Sequence, residues 1–113
     1  MRSELLLIVR VGPDVRQVAL EVLSEILTFA AFDVPLRLLF LDQAAKLLSS
    51  ETDSEIHGMI SALSLYGVRD VFVERESLTD WGVTEESLSE KVMTISRADV
   101  FTFIRTHRGV MSA

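Results

Sequence analysis

From residue 5 to residue 11 the chain is apolar except at Arg10, the pattern of a parallel strand buried on both faces. Gly12 and Pro13 break the run. Asp14, with Gln17 three residues on, then reads as a capping box opening a helix. That helix extends to Phe32, with Val15, Val18, Ala19, Val22, Ile26 and Phe29 at helical spacing. Leu23, Leu27 and Ala30 widen the stripe beyond one core face, which implies a partner or a deep position between layers. Asp33 ends the helix, and residues 34–41 form a second strand that tolerates Pro35 near its start. Residues 43–48 suit a short helix. Thr52 and Glu55 form a second capping box before a helix faced by Ile56, Met59, Ile60 and Leu63, which Tyr66 extends and Gly67 closes.

Residues 68–74 alternate with strand period, and residues 75–81 make a helical turn ended by Gly82. Thr84 opens another short turn through Leu88. Residues 91–95 read as the last strand, after which Ser96 caps a helix that turns Val100, Phe103 and Ile104 inward. No repeat or low-complexity tract interrupts this order. Strand and helix alternate throughout, so the expected fold class is α/β. Residues 1–113 form a single-domain three-layer sandwich around a mainly parallel central sheet of about four to five strands. Sites in such sheets favour the carboxyl ends of strands. Arg10, Asp42, Gln43 and the pair Glu74 and Arg75 fall along that edge. Trp81, in a loop before glycine, is either an interface anchor or a cover for the helix beneath it.

Composition narrows the chemistry. The 113 residues fit one hydrophobic core, and at 49% hydrophobic and 25% charged the chain is not a disordered one. It contains no cysteine, which removes disulfides, thiolate metal sites, thiol nucleophiles and persulfide chemistry together. Seventeen acids against eleven bases give a formal charge of −6, so direct nucleic-acid binding is not expected. Arg97, Arg105 and Arg108 read as helix-surface and helix-end charges rather than a basic patch. No stretch approaches the ~20 apolar residues of a membrane span, and no signal peptide is visible. The expected location is the cytoplasm, with no membrane contact.

Several familiar chemistries fail on the residues themselves. The loop after the first strand holds one glycine and places Asp14 where a phosphate would have to sit, so a capped helix start explains it better than nucleotide binding. Phosphoacceptor chemistry would need paired acids after the first strand to hold magnesium, and Asp42 alone reads as a helix N-cap. His57 and His107 lie far apart, with no cysteine and no local histidine–carboxylate motif to complete a metal site. No Gly-x-Ser-x-Gly elbow is present, although spacing alone does not exclude a triad assembled in space. No catalytic residue, metal or cofactor is therefore assigned.

A succession of short pieces carries a family resemblance. Ala31-Phe32-Asp33 is followed by Leu38-Leu39-Phe40-Leu41-Asp42, Lys46-Leu47-Leu48 and Leu63-x-Leu65-Tyr66-Gly67-Val68. Val71-Phe72-Val73, Glu76-Ser77-Leu78 and Gly82-Val83 complete it. In order and spacing these pieces resemble the DsrE/DsrF-like family, most closely its TusC/DsrF branch. Three features depart from the family pattern. Asp42-Gln43-Ala44 stands where Asp-Gly-Val is common, and Gly12-Pro13-Asp14 replaces the usual loop after strand one. The C-terminus lacks a terminal aromatic.

The resemblance implies a subunit of a persulfide-relay hexamer built from DsrE-like (TusD), DsrF-like (TusC) and DsrH-like (TusB) chains. Such an assembly receives sulfur through TusA and passes it toward TusE, for wobble-uridine 2-thiolation of transfer RNA or for dissimilatory sulfur oxidation. The persulfide cysteine belongs chiefly to the DsrE/TusD subunit, so a cysteine-free chain looks like the noncatalytic TusC type. Arg10, Asp42, Gln43, Arg75 and Trp81 are then the candidates for a strand-end crevice or partner contact. The alternative is a standalone DsrE/F-like homo-oligomer binding a small ligand at the strand ends near Arg10 and Asp42.

Overall fold

The computed structural model describes residues 5–88 and 91–113. Five strands, β1 (Leu5–Val9), β2 (Leu36–Phe40), β3 (Val71–Glu74), β4 (Val92–Ile95) and β5 (Gly109–Ser112), form one sheet in the order β4-β3-β2-β1-β5. Every pairing is parallel. The α/β sandwich expected from the alternation of elements is therefore the observed fold, with β5 completing a sheet whose first four strands were legible. Leu6, Leu7, Ile8 and Val9 of β1 are all buried, as a strand covered on both faces requires.

Four helices flank the sheet: α1 (Arg16–Ala31), α2 (Ser54–Leu65), α3 (Arg75–Asp80) and α4 (Arg97–Arg105). Strand alternation divides the core. Leu7, Val9, Leu38, Phe40, Val71 and Val73 pack with α1, α2 and Leu78 of α3 on one face. Leu6, Ile8, Leu39 and Leu41 pack with Val100, Phe103 and Ile104 of α4 on the other. Right-handed crossovers account for the division. The chain steps outward from β1 to β4 along one face, then returns past β1 to β5 across the opposite face. The apolar stripe of α1 is used internally only in part: Leu23 and Ala30 are buried and Leu27 packs against the same core that α2 covers, whereas Val15, Val18 and Phe29, expected in the stripe, are exposed.

The caps differ from the sequence reading in four places, one of them Ser96, which holds the N-cap position of α4 but whose hydroxyl donates to Asp99 Oδ2 at 3.1 Å and caps no backbone N–H. Asp14 does not cap α1. It lies in a 3₁₀ turn, Pro13–Val15, and α1 begins after Val15 with no side-chain cap, while Gln17 donates to Glu21 instead. The cap of α2 is Asp53, one residue beyond Thr52, because Asp53 holds the extended backbone and its Oδ1 accepts from Ile56 N–H at 3.0 Å. Glu55 turns away to Arg16, whose Nη2 donates to it at 2.7 Å while Nε donates to Asp53. Asp42 is likewise no N-cap: it is the first residue of the 3₁₀ segment Asp42–Leu48, with a left-handed φ of 58°. Pro35 lies just outside β2, in keeping with its missing N–H.

Gly67 terminates α2 as expected, at φ +90°, and donates to Ser64 O while Val68 N–H reaches back to Leu63 O. A Cβ at this position would meet nothing within 4 Å, so only backbone strain opposes it. Gly67→Ala is expected to cost about 1–2 kcal/mol. A urea midpoint lowered at unchanged slope would register that loss, and an unchanged midpoint would refute it.

Candidate functional site

Crossover direction fixes where the carboxyl edge opens. The segments leaving β1, β2 and β3 turn to the α1–α2 face, and the segment leaving β4 turns to the α4 face. The outgoing chain therefore parts between β3 and β4, the position at which open parallel sheets hold ligands. Glu74, the last residue of β3, and Arg97, the first of α4, meet there.

The two make an ion pair within a larger network. Arg97 Nη2 donates to Glu74 Oε1 at 3.0 Å and to Asp80 Oδ2 at 2.9 Å, and Arg97 N–H donates to Glu76 Oε1 at 2.8 Å. Ser77 Oγ–H donates to Glu74 Oε1 at 2.6 Å, and Ser77 Oγ accepts from Asp42 N–H at 2.8 Å. Glu74 is 6% exposed and Ser77 is fully buried. Burial pushes the Glu74 carboxyl up, but the hydrogen bonds from Arg97 and Ser77 outweigh it and hold the group below the usual glutamate range. Hydrogen bonds to Glu74 and Asp80 raise Arg97 above an arginine's already high value.

This arrangement suits a strut better than a catalyst. The Ser77 hydroxyl has both its proton and a lone pair committed, and no face of it reaches solvent. Its carboxylate neighbour is ion-paired and held ionised, which makes it a weak base for activating a nucleophile. The network ties α3 to the start of the 3₁₀ segment after β2 and to the start of α4. Among the described residues, no group of three His, Asp or Glu side chains is placed to hold a metal ion.

The five residues expected at this edge reach it by separate routes. Asp42 joins the network through its backbone N–H, with its side chain exposed. Gln43 packs on Gly12, where an added Cβ would stand 2.9 Å from Gln43 Cγ, so the loops after β1 and β2 meet at a glycine. Trp81 follows α3, 41% exposed, with Lys46 Nζ 5.2 Å from its ring centroid. Arg10 is exposed after β1, and its N–H donates to Ala113 O beside β5. Arg75 opens α3 and points to a surface hollow shared with Glu85 and Glu86. The structure holds Asp42 and Gln43 together at the start of the 3₁₀ segment after β2 and leaves Arg10 and Arg75 outside the Glu74 network.

Ser77 and Arg97 were missed by sequence reasoning, which placed Arg97 on a helix surface. One signal was available: Arg97 is a cation in the first turn of a helix, where the dipole disfavours positive charge. Another interaction has to hold it there, and the carboxylates of Glu74 and Asp80 do so.

A protein named TusC homolog from Pseudomonas aeruginosa is 34% identical over 95 residues, spanning 79% of this chain and 80% of that one. The chain belongs to the TusC family. No family model matches it. Two solved structures share its fold over 99% of its length and all of theirs. They are the YchN protein of Escherichia coli (TM-score 0.71, 10% identity) and MTH1491, a protein of unknown function from Methanobacterium thermoautotrophicum (TM-score 0.73, 18% identity). In this TusC-family chain the turn after β2 forms without a glycine, because Asp42 itself takes the left-handed backbone.

Proposed function

We propose that this chain is a noncatalytic subunit of a persulfide-relay assembly, a structural neighbour of the subunit that carries the sulfur. The observation that carries the reading is a TusC-family chain with no cysteine at any position. Sulfur transfer through persulfide needs a thiolate, so that step belongs to another chain. The occupied β3–β4 crevice supports the same reading, because Glu74, Ser77 and Arg97 spend its polar groups on one another. Uridine 2-thiolation in transfer RNA is the pathway we assign. The acidic balance of the chain argues that the RNA is handled elsewhere in the assembly. The cytoplasm is the compartment that this role requires.

Exposed apolar side chains supply the surfaces for assembly. Phe32 (78% exposed) and Leu65 (85%) stand at the ends of α1 and α2, with Phe29 and Tyr66 beside them. On the opposite face α4 has only nine residues to cover five strands, and Phe101, Met93 and Val110 remain exposed there. Apolar patches of this kind mark protein interfaces. Co-expression with DsrE/TusD-like and DsrH/TusB-like subunits is expected to yield one hetero-oligomer by size-exclusion chromatography, with all three chains present. A chain that elutes unchanged in the presence of both partners would overturn the proposal.

A further inference from the structure

Away from the carboxyl edge, a half-open cleft of about 270 Å³ lies against β3 and β4 at the amino end of the sheet. Its origin is architectural. Among the described residues, the crossover from β3 to β4 holds the six-residue α3 and a three-residue 3₁₀ turn, Glu85–Ser87, in place of a full-length helix. Leu78, Val83 and Leu88 cover the core from this connection, but among the described residues no helix follows α2 across the front of Val71 and Val92. The floor is therefore apolar, made by Ile60 and Leu63 of α2 with Val71 and Val92.

The rim has the opposite character to the protein as a whole. In a chain of net charge −6, two cations, Arg69 and Lys91, line this cleft. Both are exposed, and neither is paired with a carboxylate among the described residues. Asp70, next to Arg69, is engaged by Arg37 Nε at 3.2 Å. Nor are the two cations needed to cap α2. The last carbonyls of α2 already accept from Tyr66, Gly67 and Val68 N–H groups. Ser61 and Ser64 add hydroxyls to the same rim.

We infer that this cleft binds a small amphipathic monoanion, a carboxylate carried on an apolar body of medium length. The body lies on the valine and leucine floor, and Arg69 and Lys91 meet the head group. The inference is independent of subunit assembly. Amide chemical shifts of the full chain, titrated with octanoate, test it. Saturable shifts are expected at Ser61, Ser64, Arg69 and Val92, with a Kd on the order of 1 mM for a ligand of this size. Octanol and octylammonium, which keep the body and change the head, are expected to bind at least roughly fivefold more weakly. The double substitution Arg69→Gln with Lys91→Gln is expected to weaken octanoate about tenfold. Octanol binding as tightly as octanoate, an unchanged Kd in the double variant, or shifts confined to another surface would each overturn the inference.

Discussion

Phe40→Ala is expected to lower the stability of the folded chain by about 3–5 kcal/mol. Phe40 is fully buried and is the largest of the side chains with no solvent contact. It ends β2, the middle strand of five, and pairs with Val9 on one side and Val73 on the other. Removing its ring deletes apolar contact with the α1–α2 face of the core and leaves a void that parallel strands on both sides cannot close. A domain of this size has about 5–15 kcal/mol in total, so the loss is a large share of its stability. Urea denaturation at matched slope measures the effect. Phe101→Ala, at a ring 68% exposed on α4, is the control and should lie within about 0.5 kcal/mol of the parent. A Phe40 variant as stable as that control would mean that the β2 interior repacks freely.

The contrast between the two phenylalanines also shows what a linear pattern carries. The α1 stripe, the β1 run and the C-terminal glycine of α2 all arise from periodicity or from one residue's backbone preference. Such signals survive without knowledge of the partner element. β5 was harder to read. It is four residues long, begins at a glycine and lies at an edge, so half of its alternating side chains face solvent and its hydropathy signal is weak. Its place is set by pairing with β1, from Leu5 opposite Gly109 to Ile8 opposite Ser112, and that pairing spans a hundred residues of chain.

Caps failed for a different reason. Thr52 and Asp53 are both competent N-caps in isolation, and the choice between them follows from Arg16, which draws Asp53 and Glu55 toward α1. The site was legible only as an edge. Strand ends placed Asp42 and Glu74 there, but the bond that organises them joins Glu74 to Arg97 across 23 positions, beyond any local motif. Leu23, Leu27 and Ala30 of α1, which implied a partner or a deep position between layers, are taken up by the core, while Val18 and Phe29 of the same helix stay exposed. Large apolar side chains also stay exposed at the helix ends, Phe32 and Leu65, and on the α4 face, Phe101, Met93 and Val110.

Ser77→Ala tests the carboxyl-edge network most directly, with an expected cost of about 1–3 kcal/mol. The hydroxyl joins two groups, accepting from Asp42 N–H and donating to Glu74 Oε1, in a position with no access to water. Alanine fills the space but leaves the Asp42 N–H without its acceptor and removes one of the two bonds that keep the buried carboxylate ionised. The pH dependence separates this role from simple packing. Because Glu74 has a lower pKa folded than unfolded, its contribution is fully present above the unfolded value of about 4.3. That contribution is lost as pH falls through the lower folded value. Without the Ser77 bond the folded value rises toward the unfolded one, so less stability is gained on ionisation and the acid limb of the melting profile moves to higher pH. Melting temperatures of parent and variant between pH 3 and 7 should therefore differ most above about pH 5, and the gap should narrow in acid to the pH-independent loss of the Asp42 bond. A constant offset across the whole range would limit Ser77 to its bond with Asp42 N–H and its packing, and Glu74 would then depend on Arg97 alone for its charge.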